Sequence, residues 1–353
     1  MGKTTSLPDG WGDRPAAWHM EKFTEFCALK QQVGEPSPHL TIVGYMARNE
    51  PLDSKLWLLG SYAATYSLPT AQVIWTQWRA AAALEDEARF REWIAGNWRG
   101  IITRQERRCV RTPQKMADCL LSFADWMESE FPFLDLMRDE AERDPHGYYD
   151  RVWESVGTIK YFGRYINIRL VEGLRRFCGI PAHLYDIRSL GGWSPKKCLA
   201  YLYPDQAETL LVDDATGNRL TNELAADLLT RVREVVPSVD EYVLAAMLCE
   251  YKGAYENRTQ YVGWTIDQEP PLYRKVVEHW SEDDLDTDLL WQARRALFPP
   301  EVLGELNGWD GTRWDLACVL RDSGYIWSDL RYDYAATDDL GNPAVREAPG
   351  VPA

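Results

Sequence analysis

Lys160 and Arg164 stand one helical turn apart, and Asn167 follows a turn later. On a helix beginning at residue 160 the three share a stripe, where cations oppose the helix dipole. A phosphate held by the helix end would remove that conflict; plain solvation of the face is the alternative. Further along, Gly191-Gly192-Trp193-Ser194-Pro195-Lys196-Lys197 sets two glycines before a proline able to open a helix. Glycine permits positive φ and close approach, and the first amides of the next helix lack internal partners. The segment reads as an anion-binding hairpin or as an ordinary helix–helix turn. Asp213-Asp214 precedes Ala215-Thr216-Gly217-Asn218 and fits a polar turn. Glu250 and Lys252 lie two apart on an apolar helix, so they do not form a simple surface pair. Gln72 shares a helix with Trp75 and Trp78; a buried glutamine needs partners, and a base edge is one option.

Helical periodicity dominates the elements that must carry these residues. It predicts helices over residues 18–30, 54–66, 70–78, 85–95, 113–129, 160–178, 195–202, 222–235, 240–255 and 272–280, with two more at 285–297 and 312–322. Residues 41–44 and 210–212 are the best candidates for short extended pieces. The fold class expected is all-α, with a helical domain over residues 1–277 and an acidic helical extension over 278–353 whose end, from Asp329, is loosely held.

Composition bounds the function. The net charge is −15, which argues against indiscriminate coating of nucleic acid. The charge is uneven: from Glu278 onward there are 16 acidic residues and 6 arginines. Residues 99–115 hold 6 basic residues and 1 acidic, and residues 151–197 hold 9 basic and 3 acidic. Such basic patches can engage phosphates or form solvated helix faces. Seven scattered cysteines, without a Cys-x-x-Cys or zinc spacing, point to reduced, mostly buried thiols and to no metal site. The 16 tryptophans and 18 tyrosines suit either core packing or stacking on planar ligands. No apolar run has bilayer length, and the polar start is not a secretory signal, so a cytoplasmic location is expected. The loose myristoylation match at Met1–Ser6 reads as chance.

Residues 190–200 resemble the helix-hairpin-helix of DNA glycosylases, whose hairpin reads Leu-Pro-Gly-Val-Gly, then a basic residue, a lysine and a small residue. Gly192 falls on the first hairpin glycine, Ser194 replaces the second, and Lys196 falls on the catalytic lysine of lyase-competent members. Asp214, 18 residues on, has a separation similar to that of their catalytic aspartate. The Gly-Val-Gly is degraded, and no four-cysteine iron–sulfur loop follows. More of the chain is similar to a second family. Residues 57–72 (Trp-Leu-Leu-Gly-Ser-Tyr-Ala-Ala-Thr-Tyr-Ser-Leu-Pro-Thr-Ala-Gln), Tyr161-Phe162-Gly163-Arg164-Tyr165 and Cys249-Glu250-Tyr251-Lys252 resemble the phage amino acid:DNA transferases, or α-glutamyl/putrescinyl thymine pyrophosphorylases. That family is predominantly helical and has been likened to the glycosylases.

The resemblance implies a helical, helix-hairpin-helix glycosylase-like bundle in the cytoplasm of an infected bacterial host. It also implies a reaction. A 5-hydroxymethyluracil in double-stranded DNA is phosphorylated, and an amino acid or polyamine displaces pyrophosphate from the exocyclic methylene of the everted base. Such chemistry needs cations on the leaving group, a base for the ammonium and a pocket for the pyrimidine. Lys160, Arg164, Lys196 and Lys197 could supply the first. Asp214 or Glu250 could supply the second. Tyr66, Trp75 and Tyr165 could line the third, with Gln72 and Lys252 as further substrate contacts. Gly191, Gly192, Trp193, Ser194 and Lys197 are the expected DNA contacts. A Mg2+ ion could accompany the pyrophosphate; no membrane partner is expected. The rival readings are a glycosylase or lyase using Lys196 and Asp214, and a non-catalytic helical adaptor whose acidic tail binds a partner.

Overall fold

The structure, a computed structural model, describes residues 15–32, 38–186, 193–212, 214–255, 269–281, 284–286, 289, 292, 332–337 and 343–345. The fold is all-α; among the described residues there is one short antiparallel pair, Tyr332–Thr337 against Pro343–Val345, near the C-terminus. The chain divides into two compact units. One holds residues 39–184 and 269–294; the other holds residues 1–38, 185–268 and 295–353.

The unit of residues 39–184 is built on the helix Leu52–Thr65, buried continuously from Leu56 to its end. Small and apolar residues on every side of a helix require neighbours on every side. Gly60 meets one: a Cβ there would lie 1.9 Å from the Phe123 ring of the helix Pro113–Ser129. Gly173 of the helix Arg164–Cys178 meets another, its Cβ position being 2.4 Å from Leu59. Local signals set the helix ends. Thr112 accepts from Lys115 N at 3.3 Å ahead of Pro113, and Asp144 accepts from Gly147 N at 2.9 Å ahead of Pro145–Gly157. Tyr66 ends the helix Leu52–Thr65 in the left-handed region, φ 53°, and Pro69 opens Leu68–Gln77. The helix Glu269–Val277 belongs to the same unit.

The second unit assembles the helices Ala16–Gln32, Trp193–Leu202, Ala207–Leu210, Ala215–Val235 and Glu241–Tyr255. Tyr251 anchors it: wholly buried, edge-on to Phe23 at 5.3 Å, with its hydroxyl donating to His19 O at 3.3 Å.

Several expectations change. Residues 41–44 lie within the helix Pro38–Met46, and Leu210 ends the helix Ala207–Leu210 rather than starting a strand. The helix expected from residue 160 begins at Arg164, because Tyr161 is left-handed, φ 63°, and Gly163 is the extended N-cap. Residues 179–186 are not helical, so no described helix leads into the glycine pair; Gly191 and Gly192 themselves lie outside the described residues. The helix after them starts at Trp193, two residues earlier than Pro195 suggests. The helix expected at 312–322 and most of that at 285–297 also lie outside the described residues.

Candidate functional site

The segments 57–72 and 161–165 meet at two tyrosines. Tyr66 projects from the turn after the helix Leu52–Thr65, and Tyr165 from the first turn of Arg164–Cys178. Their hydroxyls are 2.5 Å apart and their rings cross at 62° with centroids 5.6 Å apart. Tyr66 is buried, whereas Tyr165 is 41% exposed, so the pair reaches from the core to solvent. Tyr62 stacks on Tyr66 at 5.3 Å, and His39, buried, stacks on Tyr62 at 5.9 Å. Arg104 Nη2 lies 3.1 Å from His39 Nε2.

Two arginines back this cluster. The Arg169 guanidinium lies 5.6 Å from the Tyr165 ring centroid and donates to Glu172 at 2.9 Å. Burial alone would lower the Arg169 pKa, but Tyr165, Tyr66, Glu172 and Tyr62 outweigh it and hold the group well above its ordinary value. Glu172, itself buried, is shared with Arg176 at 3.0 Å, so its charge is spent inside the protein. Arg107 is 1% exposed, donating from Nε to Ala64 O at 2.7 Å and from Nη1 to Tyr161 O at 3.1 Å.

The solvent side is cationic. Lys160 and Arg164 are exposed and make no side-chain ion pair or hydrogen bond among the described residues. Lys115 Nζ is 6.0 Å from the Tyr161 ring, so the basic runs 99–115 and 151–197 meet at this loop. A Cβ on Gly163 would touch nothing within 4 Å, which leaves open space before the helix amides. Asn167 follows on the first turn, buried, with Oδ1 lacking a hydrogen-bond partner. Lys160 itself precedes the helix, so it does not share a helical stripe with Arg164 and Asn167.

Two expected substrate contacts in this unit are engaged by other protein groups. Gln72 donates from Nε2 to Asp286 O at 2.9 Å and accepts from Tyr273 OH at 3.1 Å, which is how its burial is satisfied. Trp75 donates to Ser54 Oγ at 2.9 Å, in a network that also holds Arg79 and Glu50.

The remaining expected residues lie in the other unit. Lys196 is 6% exposed, its ammonium 3.4 Å from Val212 O and 6.0 Å from the Trp193 ring, which is 48% exposed. Ser194, within the helix, accepts from Lys252 Nζ at 3.0 Å, and Lys197 is half-buried beside them in sequence. Asp214 is exposed and N-caps the helix Ala215–Val235, accepting from Gly217 N at 2.7 Å. A Cβ on Gly217 would lie 2.3 Å from Val212 O, the carbonyl that Lys196 reaches, so the turn is close-packed around that atom. Glu250 is half-buried; after burial, its charge is the second cause raising the Cys27 thiol. Among the described residues no three His, Cys, Asp or Glu side chains are placed to hold a metal ion. None of the described helices is long and apolar enough to cross a membrane.

His39, Arg104, Arg107 and Arg169 carry the tyrosine cluster without standing out in the sequence. Each is a single polar residue in a helical or basic run, and only the partners brought by folding distinguish it. No curated protein matches the chain. A family model described as amino acid:DNA transferase matches residues 38–258, a span that includes the tyrosine pair, the Lys196 turn and Glu250. With well over half of its length matched, the chain belongs to the amino acid:DNA transferase family.

Proposed function

We propose that the protein joins an amine, from an amino acid or a polyamine, to a pyrimidine of double-stranded DNA by displacing pyrophosphate from a pyrophosphorylated 5-hydroxymethyl group. The amine nitrogen bonds to the methylene carbon as the carbon–oxygen bond to pyrophosphate breaks. Pyrophosphate takes the electron pair, and a proton from nitrogen passes to a base. Family membership supports amine transfer to DNA. The observation that carries the assignment of a site is the meeting of Tyr66 and Tyr165, which joins two segments resembling that family at the edge of an exposed cationic surface.

In this reading Tyr165 and Tyr66 present ring edges and hydroxyls to an everted pyrimidine, whose flat face and carbonyls suit aromatic contact and hydrogen bonding. Lys160 and Arg164, beside the open start of the helix Arg164–Cys178, receive phosphate oxygens and stabilise the charge that grows on the departing pyrophosphate. Of the two carboxylates expected as the base, Asp214 caps a helix and Glu250 lies within the helix Glu241–Tyr255. Lys196, held on a backbone carbonyl, orders its turn rather than attacking a sugar. A Mg2+ ion entering with the pyrophosphate would add charge to the leaving group through phosphate oxygens and water.

The test is pyrophosphate release. With hydroxymethyluracil DNA that a DNA kinase has loaded, release should require both the DNA and an amine. Release that continues without any amine, or excision of the free base, would count against the transferase.

A further inference from the structure

We infer that Arg107 is a positioning residue for the tyrosine pair: one buried guanidinium clamps the backbones of both segments that present Tyr66 and Tyr165. Its activity readout rests on the transferase reading proposed above; its stability readout does not. Ala64, which accepts from Nε, stands two residues before Tyr66, and Tyr161, which accepts from Nη1, stands four before Tyr165. The same side chain therefore spans the same two segments as the hydroxyl contact, from the core side.

The guanidinium lies 5.3 Å from the Phe162 ring centroid, and its remaining polar contacts are sulfurs. Nη2 reaches Cys119 Sγ at 3.4 Å and Nη1 reaches Cys109 Sγ at 3.6 Å. Burial pushes the Cys119 thiol up to about 12, against the pull of the guanidinium, so it is a neutral partner. No carboxylate among the described residues pairs with Arg107. A buried cation without a counter-ion is costly, and apolar packing would hold a core more simply. Two features offset the cost. Ala64 O belongs to the negative end of the helix Leu52–Thr65, whose neighbouring carbonyl Thr65 O accepts from Arg104 N at 3.2 Å. The Tyr161 carbonyl is aimed inward by a left-handed backbone that a non-glycine residue adopts only at a cost. Holding that carbonyl stabilises the strained turn. The planar fork of arginine can reach two carbonyls on separate segments while a lysine ammonium cannot reproduce that geometry.

A double-mutant cycle between Arg107→Lys and Tyr165→Phe tests this, read both by amine transfer to DNA and by urea midpoint. If Arg107 acts through the pair, Arg107→Lys lowers turnover by about 10²-fold with the KM for DNA nearly unchanged, the scale of an ångström-sized misplacement. In the Tyr165→Phe background the same change then costs less than about threefold, and the two midpoint shifts are less than additive. Equal losses in both backgrounds with additive midpoints would overturn the proposal. Non-additive midpoints in a parent that transfers no amine would leave the clamp standing and remove the transferase. Should Arg107→Lys not fold, Tyr161→Gly and Tyr161→Val carry the test from an exposed position. Glycine keeps the left-handed turn and parental turnover, whereas valine swings the carbonyl away and reproduces the loss; equal behaviour of the two would overturn the clamp.

Discussion

Tyr66 and Tyr165 touch hydroxyl to hydroxyl at 2.5 Å across a sequence separation of 99 residues. One hydroxyl donates to the other, so the two tyrosines act as a coupled pair. Tyr165→Phe and Tyr66→Phe should each reduce amine transfer by about 10²-fold, the scale of one lost transition-state donor. The double variant should be little worse than either single one. The single variants should keep the helix content of the parent by circular dichroism.

Lys160 and Arg164 should contribute to DNA affinity in a salt-dependent way. Each phosphate contact adds about 0.9 to the slope of log affinity against log salt. Replacing both by Gln should flatten that slope by about 2, with the helix content by circular dichroism unchanged. An unaltered slope would take the start of Arg164–Cys178 out of the interface.

Asp214 separates structure from chemistry. Asparagine caps helices about as well as aspartate, whereas alanine does not, so Asp214→Ala should cost about 1 kcal/mol in urea unfolding and Asp214→Asn very little. Both should retain turnover. Glu250→Gln should instead lower turnover by about 10²–10⁴-fold, the usual worth of a general base.

Much of this was legible beforehand. The helix Pro113–Ser129 carries its cap, its proline and its apolar period in consecutive residues, and its bounds agree with the expectation. Tyr66, Tyr165, Lys160 and Arg164 drew attention through their types. Residues 41–44 misled because Thr-Ile-Val reads as extended; tertiary burial made it a helix. The helices Phe131–Leu136 and Pro145–Gly157 escaped notice among charged residues. Arg107 was hidden for a different reason: beside Arg104, Arg108 and Arg111 it reads as one more solvated cation. Nothing in the local sequence shows that Ala64 and Tyr161 will close over it. Gln72 read as buried, but its partners, Asp286 and Tyr273, lie some 200 residues away.

Gly60 gives a packing test. With the Phe123 ring 1.9 Å from the position of an added Cβ, Gly60→Ala should destabilise by about 1–3 kcal/mol. Urea unfolding of this variant alone suffices, because both residues are buried.

The Cys178 thiol is pushed up to about 12, first by burial and against the pull of Lys55 and Arg138. A folded value above the unfolded 9.0 means stability present below pH 9 and lost as pH rises toward 12. Melting curves across that range should fall less steeply for Cys178→Ala than for the parent.

Amine transfer to DNA is read by mass spectrometry of nucleosides from hydroxymethyluracil DNA treated with a DNA kinase, ATP, candidate amines and this protein. A pyrimidine nucleoside whose mass has gained the chosen amine at the methylene should form with the parent and be strongly reduced with Tyr165→Phe. DNA that stays unmodified with every amino acid and polyamine, or that instead loses the base, would contradict the proposed transfer.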